Sequence, residues 1–232
     1  MKGGEEMKRT ESFQATAADR ELINRYTRKE YAADELYTFS MIAADTRIDR
    51  DFECFDADTL KEMSERYVGT TVICDHTPSA NNQLARIFKG RVEPCADGVQ
   101  QLVLSAYMPK EGNDDMIAKI DSGIVKEVSV GCSVQKCTCS ICGRTDGNCS
   151  HIKGKSYSGQ QCYRILSGLA DVYEVSFVAV PAQRAAGIIK CFKSFGDVPA
   201  PTEEPQPDTA DIRLRLAAAE IYLREIDNNG NE

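Results

Sequence analysis

The sequence predicts an α+β fold: a mainly antiparallel, β-barrel-like sheet with flanking helices and one loop insertion ordered by something other than a core. Three observations predict it. Short runs of alternating apolar residues recur between turn residues, only brief helical patterns interrupt them, and from Gln135 to Gly168 the periodicity stops while cysteines crowd together. A structureless stretch of that length inside a compact domain needs another source of order.

The chain has 232 residues, enough for one core of roughly 150–180 residues with tails. Residues 1–34 are expected to form an N-terminal helical extension, its helix at 17–34 lying on the surface with a thin apolar stripe of Leu22, Ile23 and Tyr26. Residues 35–43 alternate as a strand, and 49–55 read as its continuation after a bend. Asp56 or Asp58 caps a helix at 59–67 that Gly69 closes. Strands follow at 70–75, 84–93 and 99–108, the last two joined by an Asp97-Gly98 turn. Asn113 or Asp114 starts a short helix that stops at Gly123 and delivers the chain into the strand 127–133. A final apolar strand runs from Leu169 to Val180, and the segment after it, 185–192, has no clear type. The domain at 35–195 is thus expected to carry an insertion at 135–168, followed by a Pro/Glu linker at 196–209 and a C-terminal amphipathic helix at 210–232.

A formal charge of -8 offers no basic face for phosphates, so neither nucleic acid nor an acidic membrane surface is the expected partner. No apolar run reaches the roughly 20 residues of a membrane span, and residues 1–9 lack a secretory apolar segment, so a cytoplasmic protein is expected. Ten cysteines then read as reduced thiols, five of them between Cys137 and Cys162 at metal-like spacing. Cys139-x-x-Cys142 bends a knuckle whose thiolates converge, and Cys149-x-His151 can complete a tetrahedron. That set points to structural Zn2+, with Cys137 or Cys162 able to replace one ligand. Four protein ligands leave no open position for a metal-bound water.

The chain holds two histidines. With His151 among the cysteines, His76, at the end of Thr71-Val72-Ile73-Cys74-Asp75-His76, is the candidate base. Ser129, set between Val128 and Val130 ahead of Gly131, is the candidate nucleophile. Asp171 and Glu174 are the candidate acids on the last strand, and alternation puts Glu174 on one face with Ser176.

The order of these pieces carries a resemblance. An Asp49-Arg50-Asp51 stretch precedes a helix, a strand ends in Asp75-His76, and a helix with Ser122-Gly123 leads into Val128-Ser129-Val130-Gly131. Last comes the strand Glu174-Val175-Ser176-Phe177-Val178-Ala179-Val180-Pro181-Ala182. Over residues 35–190 this resembles the tailed-bacteriophage prohead maturation proteases, distantly similar to the herpesvirus assemblins. The resemblance implies a serine endopeptidase that cleaves scaffold and capsid proteins, and itself, within the assembling prohead in the host cytoplasm. It implies Ser129 as nucleophile and His76 as its base. Assemblins use a second histidine as third member, which this sequence cannot spare, so Glu174 or Asp171 takes that place. Backbone N–H groups or Arg184 are the oxyanion candidates. Phage scaffold and major capsid proteins, with self-association, are the implied partners. The alternative is a non-enzymatic assembly protein of the same fold that uses the zinc site and terminal helix to hold them.

Overall fold

The structure is a computed structural model that describes residues 16–95, 97–145 and 149–189. Thr16 caps helix α1 (Ala17–Asn24), its hydroxyl accepting from the Asp19 N–H. The helix is shorter than the expected 17–34. Asn24 ends it by taking the Tyr31 N–H and the Thr27 hydroxyl on its amide oxygen, a local bonding pattern that competes with helix. Nor is it a purely surface element, because Ile23 is fully buried with Leu36, Phe88 and Tyr107.

Strand β1 (Leu36–Asp45) pairs along its length with β5 (Gln100–Pro109), which pairs in turn with β4 (Ala85–Pro94). The β4–β5 turn is the expected one, with the Gly98 N–H donating to the Cys95 carbonyl. Helix α2 (Ala57–Arg66) starts at Asp56, whose carboxylate accepts from the Thr59 N–H at 2.8 Å. Its buried face, Leu60 and Met63 with Tyr67 just beyond, joins the core of β-strand side chains.

Strand β2 (Glu53–Phe55) does not continue β1. It lies parallel to the N-terminal end of the long strand β9 (Arg164–Phe177), while β3 (Thr71–Cys74) lies parallel to the C-terminal end. The redirection is local. Asp49 accepts the N–H groups of Asp51 and Glu53, Phe52 turns through φ 57°, and Arg50 Nε donates to the Pro181 carbonyl. Helix α3 (Asp114–Asp121) then leads to β6 (Val128–Cys139), antiparallel to β9 along its whole length.

The fold class is therefore α+β with a large, mostly antiparallel sheet, in the order β10-β1-β5-β4-β3-β9-β2 with β6 also on β9, where β10 is Gly187–Ile189. The sheet is not closed into a barrel. Among the described residues the edge that would make the expected barrel-like closure is joined by one bridge, between Glu127 and Gly187, and by no ladder. The expected insertion is also narrower than 135–168. Strand β6 continues to Cys139 and β9 begins at Arg164, and among the described residues of 140–163 the regular structure is the two-residue pair β7 (Ser156–Tyr157) and β8 (Gln160–Gln161). Side chains of the outer ribbon are half exposed on both faces, so Gln135 and Lys136 fit there without an apolar alternation to announce the strand. The linker at 196–209 and the helix at 210–232 lie outside the described residues, as do residues 1–15.

Helix α2 sits directly on the β4 backbone. A Cβ placed on Gly90 would stand 2.0 Å from the Ser64 carbonyl oxygen. Gly90→Ala is therefore expected to push α2 off the sheet and cost about 1–3 kcal/mol, as overpacking does. Urea unfolding checks this as a lower midpoint at unchanged slope; an unchanged midpoint would mean the helix is not seated as described.

Candidate active site and metal centre

The first centre is assembled where β3, β9 and β6 lie side by side. Strand β3 ends in a tight turn, with the Thr77 N–H donating to the Cys74 carbonyl and Asp75 and His76 at φ 55° and 49°. Two successive left-handed residues are the signature of a type I′ turn, which Asp tolerates better than most side chains. The Asn82 amide pins it, donating to the carbonyls of Cys74 at 2.9 Å and Thr77 at 2.8 Å.

The turn brings His76 back over β9. Its Nδ1 lies 2.7 Å from Glu174 Oε1. A carboxylate only accepts, so Nδ1 is the donor in this contact, and it is the neutral form of the ring that leaves Nε2 a lone pair. Glu174 is 9 % exposed, and burying a carboxylate costs several kcal/mol unless its oxygens are bonded. Both are: Oε1 meets His76, and the Ser176 hydroxyl donates to Oε2 at 2.6 Å. The other candidate acid is elsewhere. Asp171 is exposed, bonded to Arg66 and to the Val172 N–H.

Ser129 lies directly across the β6–β9 ladder from Ser176, and Gly131 directly across from Glu174. Residues paired in this way share a face. The absence of a side chain at Gly131 is what admits the carboxylate, since a Cβ there would be 2.2 Å from Glu174 Oε1. The Tyr67 hydroxyl, held in its protonated form by burial, fixes the same place by donating to the Gly131 carbonyl at 2.9 Å. The Ser129 hydroxyl is half-buried and makes no hydrogen bond among the described residues. Arg184 is exposed in the turn after β9.

The second centre closes the far end of the same ladder. The Cys139 N–H donates to the Arg144 carbonyl and the Gly143 N–H to the Cys139 carbonyl, which folds the knuckle. The ligand atoms of Cys139, Cys142, Cys149 and His151 all lie within 4.8 Å of one another. These are the four residues expected from spacing, and the cluster is able to hold a metal ion. Of the two alternatives, Cys162 is buried with its Sγ 3.9 Å from Cys139 Sγ, whereas Cys137 sits in the ladder opposite Leu166.

The chemistry of this donor set fits a cation. Burial alone raises the Cys139 thiol, but the N–H groups of Cys142 and Ile141, with the neighbouring thiols, hold it down at about 6. Metal ligation needs such a thiolate. His151 Nδ1 is buried and has no hydrogen-bond partner among the described residues, while the ring stands edge-on to Tyr157 at 4.6 Å. Arg164, buried beside the cysteines, donates to the His151 carbonyl at 2.8 Å and supplies positive charge next to the sulfurs.

Sequence reasoning missed Ser176, Gly131, Asn82 and Arg164 as parts of these centres. The Glu174-x-Ser176 alternation was the one available signal for Ser176; the other three are set by contacts between distant segments. Comparison of the chain with protein-family models, curated proteins and solved structures gave no match.

The cysteine–histidine cluster yields a direct test. Protein purified without chelator is expected to carry about one divalent ion per chain, and Cys139→Ala or Cys149→Ala to lose it. Chelation should speed amide exchange in 140–163 before it reaches β1, β4 and β5. Metal-free protein with unchanged exchange in that loop would remove the centre.

Proposed function

We propose that the chain is a serine endopeptidase of the kind found in tailed-phage prohead maturation, processing scaffold or capsid proteins and itself. The observation that supports this most is the 2.7 Å contact from His76 Nδ1 to Glu174 Oε1, with Ser129 on the neighbouring strand across from Ser176. Strands β3 and β6 flank β9 and so run about 10 Å apart, which sets His76 and Ser129 on neighbouring positions either side of the strand that carries Glu174 and Ser176.

In this reading Ser129 Oγ attacks the scissile carbonyl as His76 Nε2 takes its proton. The carbonyl π bond opens to an oxyanion, held by backbone N–H groups or by Arg184. Collapse breaks the C–N bond, and the imidazolium returns the proton to the leaving amine. Water, activated by the same nitrogen, then hydrolyses the acyl-enzyme. Glu174 keeps the proton on Nδ1 throughout and stabilises the charged ring.

The metal in this reading is Zn2+ in a structural role. Cys139, Cys142, Cys149 and His151 would hold it, a closed tetrahedral set that leaves no position for a reacting water. It orders 140–163 where no apolar core does.

Incubation of the purified chain, alone and with its capsid precursor, followed by mass spectrometry of new termini, tests the proposal. Ser129→Ala and His76→Ala are each expected to lower cleavage by about 10⁴-fold or more without unfolding the protein, and the double variant to lose no more than either. Glu174→Gln should cost less, on the order of 10²–10⁴-fold, and Asp171→Asn should change little. Cleavage at the same bond by Ser129→Ala protein would refute the protease reading. Element analysis should identify the bound ion as zinc.

A further inference from the structure

Ser176 is the most buried polar group of the first centre, at 0 % exposure, and the catalytic scheme above gives it no task. Its hydroxyl is nevertheless fully used. It accepts from the His76 backbone N–H at 3.1 Å and donates to Glu174 Oε2 at 2.6 Å. With the 2.7 Å contact between Glu174 Oε1 and His76 Nδ1, these bonds close a ring. It runs from the His76 backbone through Ser176 to Glu174 and back to the His76 imidazole.

We infer that Ser176 is a positioning residue that fixes the histidine–carboxylate pair from both ends at once. The ring couples two degrees of freedom that would otherwise relax separately. The His76 backbone is in the left-handed region at φ 49°, a conformation that persists only where surrounding bonds over-determine it. The Glu174 carboxylate can rotate about its terminal torsion, which is broad and soft. One hydroxyl opposes both motions, since it bonds the backbone of one partner and the free oxygen of the other. Gly131 gives the carboxylate the room this arrangement needs, since any Cβ there would collide with Oε1. A hydroxyl is the group this task needs: it accepts from the N–H and donates to the carboxylate in the same instant, which neither an amine nor a carboxylate does.

The catalytic consequence rests on the protease reading, but the positioning itself does not. The experiment therefore has two arms on the full chain. The first follows the His76 Nδ1 proton by NMR; His76→Gln assigns it against His151, the other histidine. In wild type this proton should be shifted downfield and protected from exchange. In Ser176→Ala it should move upfield and exchange faster, and in Ser176→Thr, which restores the hydroxyl, it should return toward the wild-type position. If Ser176→Ala does not fold, Ser176→Cys, close in shape but a poor donor, is measured instead with the same expectation. The second arm compares cleavage rates, where Ser176→Ala should lower kcat about 10- to 100-fold with KM little changed. An Nδ1 proton signal that is the same in Ser176→Ala as in wild type, yet altered by Glu174→Gln, would overturn the inference. Absence of Ser129-dependent cleavage in wild type would instead strike the protease reading, while the NMR arm still decides the role of Ser176.

Discussion

The carboxylate of Glu174 is the constraint around which this end of the molecule is built. A charged group with so little exposure must have both oxygens bonded, or it destabilises the strand that carries it. Three separate features of the chain meet that demand. Ser176, two residues on along the same strand, serves one oxygen; His76, reached through a left-handed turn after β3, serves the other; Gly131 on β6 leaves the volume empty. None of the three is explained by the apolar core beneath. Val175 and Phe177 supply that core from the alternate positions of β9, so one strand faces a packed interior on one side and a polar network on the other.

The same β6–β9 ladder links two centres of different chemistry. At one end Ser129 opposes Ser176, and at the other Cys139 opposes Arg164. Between these ends Leu169 and Val175 stay in the core and Val130, Cys132, Val134 and Val172 pack against it, while Gln135 and Lys136 are exposed where the ribbon runs on toward Cys139. At the open end Cys139, Cys142, Cys149 and His151 bring their ligand atoms together in a cluster able to hold a metal ion. A buried arginine, Arg164, places positive charge beside the thiols.

The parts of this arrangement that were legible in the sequence are those with a local cause. The Asp56 cap, the Asp97-Gly98 turn and the Cys139, Cys142, Cys149, His151 spacing each involve residues near one another in the chain, and the structure places them as read. The scarcity of histidine singled out His76, and alternation put Glu174 and Ser176 together. Apart from the end of α1, which Asn24 sets through bonds to Thr27 and Tyr31, what was misread depends on distant partners. Nothing in residues 49–55 says that Arg50 will bond the Pro181 carbonyl and turn β2 onto β9. Nothing in Gln135 or Lys136 says that a strand continues through them, because neither face of that ribbon is buried enough to impose a pattern. Closure into a barrel is likewise a matter of two distant edges meeting, which among the described residues they do at a single bridge, and apolar patterning does not encode it.

The central claim is that Ser129 is an activated nucleophile whose base is His76. Reaction with a peptidyl or simple organophosphonate ester, mapped by mass spectrometry, measures this without knowledge of the cleavage site. A single adduct on Ser129 is expected that forms in wild type, is lost in His76→Ala, and persists in folded protein carrying Asp171→Asn. No adduct on folded wild-type protein, or one that forms on Ser129 equally well without His76, would contradict it.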